Sequence, residues 1–169
     1  MRKLLFFSLL LILNLSCNTP TDRLSEKESL EIASSAKEVV QQVFDYSNNM
    51  DFKSGLNHYS NKENAYFVTD GVIHSLSELK TSYEAVGPYV EHLHNTINDW
   101  HIEVLSKNIV VVTLPVTLQL KMKGITEYTG ELIWTATLEK EEGEWIIVQS
   151  HESWLNCAEV AAALAPPKE

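Results

Sequence analysis

The hydrophobic pattern of this chain changes period near residue 97. Upstream, Ile32, Ala36, Val39, Val40, Val43 and Phe44 recur at three- and four-residue intervals, the spacing of one helix face. Ser25 and Glu28 stand just before them, where a serine hydroxyl and a glutamate can each satisfy the other's backbone N–H, so a long amphipathic helix is predicted to about Ser47. Asp51 is placed to cap a second, shorter helix carrying Phe52, Leu56 and Tyr59. A short strand, Ala65 to Val68, precedes a turn at Asp70-Gly71. Ser75 and Glu78 repeat the capping-box spacing and open a third helix, with Leu79, Tyr83 and Val86 inward, that stops near Gly87-Pro88. The stretch from Tyr89 to Asn95 fits neither period.

Downstream the alternation has a period of two and predicts four strands: about Asn98 to Leu105, Ile109 to Met122, Thr126 to Lys140, and Glu144 to Trp154. In the second, Val110, Val112, Leu114, Val116, Leu118 and Leu120 form one apolar face against Thr113, Thr117, Gln119 and Lys121. In the third, Tyr128, Leu132, Trp134, Ala136 and Leu138 oppose Glu127, Thr129, Glu131, Thr135 and Glu139. Trp100, Ile102 and Val104 follow the same rule in the first, so even-numbered residues face the core. Pro115 falls on the outward side of a long strand, where a bulge or bend is expected.

The register of the last strand hangs on one turn. A three-residue Glu141-Glu142-Gly143 loop, with glycine in the left-handed position, pairs Lys140 with Glu144 and therefore Trp134 with Ser150. It sends Ser150, Glu152 and Trp154 inward. A two-residue Glu142-Gly143 turn shifts every pair by one and turns Trp145, Gln149 and His151 inward instead. The glycine's third place favours the longer loop. In that register Ile109, Val111, Ile133, Trp145 and Ile147 make an apolar patch on the outer sheet face, and a homodimer is expected.

The first residues add a location. Met1-Arg2-Lys3 precede an apolar run from Leu4 to Leu13 broken only by Ser8, then Ser16-Cys17-Asn18. The run is too short to span ~30 Å of hydrocarbon and reads as an export signal. Ser16-Cys17 resembles a bacterial lipobox of the looser kind found in Bacteroidetes-type lipoproteins, although Asn14 stands where a strong lipobox has leucine. The resemblance implies lipidation at Cys17 and a membrane held through a lipid anchor, with the protein exported to the periplasmic or surface side of a cell membrane or outer membrane. The chain then divides into a signal peptide (1–16), a polar tether (17–28), one domain (29–156) and a C-terminal tail (157–169).

Charge narrows the partners. The 169 residues carry 13 basic and 23 acidic side chains, a formal net charge of −10, and losing Arg2 and Lys3 with the leader makes the remainder more acidic. Nucleic acid is not an expected partner, because a phosphate backbone requires a Lys/Arg stripe. There are two cysteines; with Cys17 acylated, Cys157 has no partner and no disulfide framework supports the fold.

Helices followed by a long antiparallel meander make an α+β arrangement. Over about residues 29–154 the chain resembles the SnoaL-like members of the nuclear transport factor 2-like superfamily. The matching residues are Asp51 before the second helix, the segment Tyr66-Phe67-Val68-Thr69-Asp70-Gly71, and Gly143 to Ser153, which follows the family's Gly-x-Trp-x-Ile-Val-x-x-His-x-Ser. The resemblance implies a cone-shaped fold, N-terminal helices packed on a curved antiparallel sheet, with a pocket between the layers and usually a dimer. It implies no single reaction, since the family includes isomerases, cyclases, dehydratases and binding modules. His74 stands where many members carry a small residue.

Glu152 is the candidate acid or base. Among Trp100, Trp134 and Trp154 its pKa would rise by desolvation; at a solvated strand end it would be an ordinary rim carboxylate. Tyr83, Trp100, Tyr128, Trp134, Ser150 and Trp154 are the predicted pocket residues, suited to a small apolar or aromatic molecule. Asp70 reads as a turn former. His92 and His94 share a face only on a strand, and with His101 they lack the spacing of a metal site; His58, His74 and His151 are isolated. No nucleophile elbow, P-loop or dinucleotide fingerprint is present, so no metal and no cofactor is expected. Three functions follow, in order: an envelope-tethered module binding a small apolar or aromatic ligand, a cofactor-free isomerase or dehydratase using Glu152, and a protein-interaction or assembly domain.

Overall fold

A computed structural model describes residues 24–69 and 71–156. The signal segment, Cys17, Asp70, Cys157 and the rest of the tail lie outside the described residues.

Local chemistry sets the helices. Helix α1, Glu26–Asn48, opens on the Ser25 capping box: the Glu28 N–H donates to Ser25 Oγ at 3.2 Å, and the Ser25 N–H donates to Glu28 Oε2 at 2.9 Å. Its buried stripe is Ala36, Val40 and Phe44, one residue per turn. Helix α2, Phe52–Gly55, is a single turn capped by Asp51, whose carboxylate accepts the Ser54 N–H at 3.1 Å; a 3₁₀ turn, Leu56–His58, follows it. Strands β1 (Tyr66–Thr69) and β2 (Val72–His74) form a small hairpin through Gly71, whose φ of +77° suits glycine. Helix α3, Leu76–Val86, begins at the second capping box, on Ser75 and Glu78.

The remaining strands are β3 (Val90–Ile97), β4 (His101–Ser106), β5 (Ile109–Met122), β6 (Tyr128–Glu141) and β7 (Glu144–Trp154). They form a seven-stranded sheet in the order β2-β1-β7-β6-β5-β3, with β4 also on β5. This corrects the curved antiparallel cone expected from the family resemblance. The sheet is mixed, because β1 pairs in parallel with β7 (Phe67 against Ser150), and it is open and not strongly curled. Alternation reports the face of each residue but not the neighbour or direction of a strand. The parallel pair joins segments some eighty residues apart that no hairpin connects.

β3 and β4 share one side of β5. Ile97 pairs with Val116 and His101 with Thr113, and the gap falls at Pro115. The Pro115 carbonyl accepts the Asn98 N–H at 2.9 Å; a residue's N–H and C=O point to the same side of a strand, so the missing proline N–H also faces this gap. The β5–β6 register runs through Pro115 without a shift, so the break expected in the proline's own strand appears in its neighbours. At the β3 edge, Asn48 of α1 replaces a neighbouring strand: its side chain accepts the Asn95 N–H at 2.6 Å and donates to the Asn95 carbonyl at 3.0 Å. That covers backbone groups an edge would leave open.

The last strand departs from the favoured register in two ways. The turn is the two-residue one, Glu142-Gly143, with Glu141 opposite Glu144 and both turn residues at positive φ, +51° and +100°. This is the conformation whose twist matches a hairpin. Trp145 and Ile147 are therefore buried, at 4% and 0% exposure, and the Trp145 Nε1–H donates to Ser35 Oγ of α1 at 2.8 Å. A non-glycine residue at positive φ costs about 1–2 kcal/mol, whereas burying a tryptophan and an isoleucine returns more than that. Then Val148 is inserted as a β-bulge: Leu138 faces Ile147, but Thr137 faces Gln149. The phase flips, and Ser150, Glu152 and Trp154 return to the inner face opposite Ala136, Trp134 and Leu132. The expected outer patch is corrected accordingly, since Trp145 and Ile147 belong to the core.

No helix among the described residues is long and apolar enough to cross a membrane. Trp145→Ala should destabilise the fold by about 3–5 kcal/mol, and Trp145→Phe, which loses the bond to Ser35, by about 1 kcal/mol. Urea denaturation checks both; a change within ~0.5 kcal/mol for Trp145→Ala, the range of ordinary surface positions, would place the indole outside the core.

Candidate functional site

The bulge makes β7 the strand that carries chemistry to the helical layer. Beyond Val148 its inward residues meet the C-terminal end of α1, α2 and α3, which do not close completely on the sheet. Between them lies a cavity of about 200 Å³. Its apolar wall includes Phe44, Leu93, Val116, Leu118, Leu132 and Trp134, and its polar groups are Ser47, Tyr59, Tyr83, Asn95 and Glu152. A dry cavity of ~150 Å³ holds a benzene ring, so this one suits a substituted ring or a compact bicycle.

The rings are fixed by their neighbours. Phe44 meets Trp134 edge to face, with centroids 5.4 Å apart and planes at 88°, a favoured aromatic geometry. Phe52 of α2 lies 4.9 Å from Tyr83 of α3, so two short helices hold that side of the wall jointly. Tyr59 follows the 3₁₀ turn in extended conformation and forms a parallel bridge with Ile147, and the Ser60 N–H donates to the Ile147 carbonyl at 2.8 Å. Its ring stands edge-on to Phe67 at 5.0 Å.

Tyr59 is the polar centre of the wall. Its side chain hydrogen-bonds with that of Ser150, a buried residue on β7. Burial raises its pKa far above the ordinary tyrosine value, the nearby Tyr83 and Glu152 raise it further, and the Ser150 bond opposes them only in part. The hydroxyl thus keeps its proton to higher pH than an ordinary tyrosine. Since it responds to both Tyr83 and Glu152, the three groups share one electrostatic environment at the β7 side of the cavity.

Of the residues singled out in the sequence, Tyr83, Trp134, Glu152 and Trp154 line this cavity. Glu152 is half-buried and pairs across the ladder with Trp134. Three others are elsewhere. Trp100 lies before β4 with the Lys37 ammonium 4.5 Å above its ring. Tyr128 is buried at the start of β6, 6.3 Å from Trp154, and lies over Gly130, where a Cβ would come within 2.3 Å of its hydroxyl. Ser150 is behind the wall and reaches it through Tyr59. The sequence pattern puts Tyr59 on the second, shorter helix with Phe52 and Leu56 and assigns it no function; it stands instead just after the 3₁₀ turn, and its encounter with Ser150 spans about ninety residues.

The histidines stay apart from this chemistry. His92 and His94 are exposed on β3, and His101 is exposed with Nε2 3.4 Å from Asp99. Among the described residues no three His, Cys, Asp or Glu side chains come together as a metal site. His58, beside Tyr46, has its pKa lowered by burial.

Comparison with known proteins agrees with this architecture. The profile of the SnoaL-like domain family matches residues 36–156, and no curated protein matches the chain. A Novosphingobium aromaticivorans protein provisionally assigned as a scytalone dehydratase superposes with a TM-score of 0.67 at 10% identity, over 77% of this chain and 88% of that one. A hexachlorocyclohexane dehydrochlorinase from Novosphingobium barchaimii gives 0.67 at 11% identity, over 78% and 91%. A CamKII hub homology domain from Chlamydomonas reinhardtii gives 0.59 at 18% identity, over 73% and 98%. At these identities the likeness shows the fold alone.

The raised pKa of Tyr59 has a consequence for stability. An unfolded tyrosine ionises near pH ~10, while the folded protein keeps this proton to higher pH, so the contribution is complete below ~10 and is lost as pH rises beyond it. Tyr59→Phe has no such proton. Its urea midpoint should fall less steeply than that of the wild type above pH ~10; parallel curves would mean that the hydroxyl is not buried as described.

Proposed function

Because the chain belongs to the SnoaL-like domain family of the nuclear transport factor 2-like superfamily, with the cavity enclosed by that domain, we propose that the cavity is the active site of a cofactor-free enzyme that moves protons at carbon. The reaction class is elimination or isomerisation of a small ring compound, with Glu152 as acid and base. One observation carries this reading: Glu152, Tyr59 and Tyr83 together line a cavity whose other lining residues are chiefly apolar. Taking a proton from carbon needs a base in a site poor in water and donors for the oxygen on which charge develops. Glu152 fills the first role. Tyr59, a buried phenol steadied by Ser150, fills the second, and Tyr83 lines the cavity with it. Two of the fold relatives are named for a dehydration and a dehydrochlorination, both of which remove a hydrogen and a leaving group from a substrate, and this supports the reading over a simple binding module.

Proton abstraction can be followed without knowing the natural substrate. The full chain in D₂O should accelerate deuterium exchange beside the carbonyl of 2-tetralone, read by proton NMR. Glu152→Gln should slow exchange by roughly 10²-fold or more while leaving ketone affinity unchanged, and Tyr59→Phe should slow it less. Ketone binding with no acceleration in the wild type would instead mark a binding module.

The enzyme's place is proposed from the leader. The apolar run Leu4 to Leu13 and the Ser16-Cys17 pair support export followed by acylation of Cys17, which would hold the domain at a membrane through its acyl chains. Cys17→Ser should abolish labelled fatty-acid incorporation and move the protein out of the membrane fraction. A wild-type chain that takes up no label would overturn the anchor.

A further inference from the structure

We infer that the cavity takes an organic ammonium ion, its charge held between the Glu152 carboxylate and the faces of the surrounding aromatic rings. This rests on the reading of the cavity as the ligand site, and it concerns what binds there, with no covalent step. Six aromatic residues, Phe44, Phe52, Tyr59, Tyr83, Trp134 and Trp154, line the wall. Among the described residues lining it there is no lysine, arginine or histidine, and Glu152 is the acidic one.

That composition discriminates among ligand charges. An anion would meet the Glu152 carboxylate and the electron-rich ring faces with no positive group in the wall to receive it. A neutral molecule filling the cavity would take water from the carboxylate and supply no charge in return. A cation is attracted by both elements at once: the carboxylate by direct charge, the rings by their quadrupoles, which draw cations to their faces. The negative potential extends into the wall, for the Glu152 charge helps hold the Tyr59 hydroxyl in its protonated form. The acidic chain as a whole, at −10, favours the approach of cations.

Isothermal titration of the full chain at pH 7 with benzylammonium, benzyl alcohol and benzoate tests this, because the three probes share one ring and differ in charge. Benzylammonium should bind about tenfold or more tighter than benzyl alcohol, and benzoate should not bind. Glu152→Gln should erase the preference while the alcohol binds at least as tightly as to the wild type, which also shows that the variant's cavity is intact. If that variant does not fold, lowering the pH of the wild type through the carboxylate range should erase the preference in the same way. Equal affinity for benzylammonium and benzyl alcohol would overturn the ammonium proposal and leave the cavity as a ligand site. Failure of all three probes to bind would overturn both.

Discussion

One extra residue in β7 governs how the two halves of this domain are used. A strand shows alternate residues to the core, and a two-residue hairpin commits β7 to bury Trp145 and Ile147 beneath α1. Continued unbroken, that phase would bury Gln149 and His151 and turn Ser150 and Glu152 outward. The bulge at Val148 breaks the phase. Its cost is a local interruption of the ladder and an unpaired residue. Its result is one strand with a hydrophobic anchor at one end and polar groups facing the helices at the other. The other edge of β7 changes neighbours at the same point, from Tyr59 at Ile147 to β1 at Gln149.

The cavity exists because the helical layer is tight at one end and thin at the other. Along α1, Ala36 and Val40 are fully buried, and the Trp145–Ser35 bond joins the helix to β7. Near the helix C-terminus, Asn48 fastens to the β3 edge, which fixes the position of α1 without filling the space beneath it. The rest of the cover is α2, a single turn, and α3, in which Leu79 is the one residue fully withdrawn from solvent. Unfilled space forfeits packing contacts, so retaining it alongside a half-buried carboxylate is a cost to stability with a use in binding.

Most of the local structure was legible along the chain. Both capping boxes, the Asp51 cap, and the limits of β5 and β7 follow from interactions within a few residues, which sequence displays directly. The faces of β4, β5 and β6 follow from uninterrupted alternation. β3 was not legible, because His92, His94 and Asn95 dilute its apolar positions, and β2 has only Val72 and Ile73 to mark it, both exposed. The parallel placement of β1 beside β7 left no trace in either segment, since backbone pairing between distant strands depends little on side chains.

The sequence by itself determined the period of each segment, the acidic balance and the inventory from which a site can be built, because these depend on composition and on contacts between near neighbours. Only the tertiary structure decided the mixed and open sheet, the outcome at Glu142-Gly143 and the cavity's final membership. A turn is chosen by the burial it achieves further along the strand, here that of Trp145 and Ile147 outweighing a strained Glu142. Glu152 faces the helices through two departures from the simple pattern that cancel, a shorter turn and a bulge. Tyr59 meets Ser150 because the segment after α2 lies against β7, a contact set by the fold as a whole and invisible to any local window.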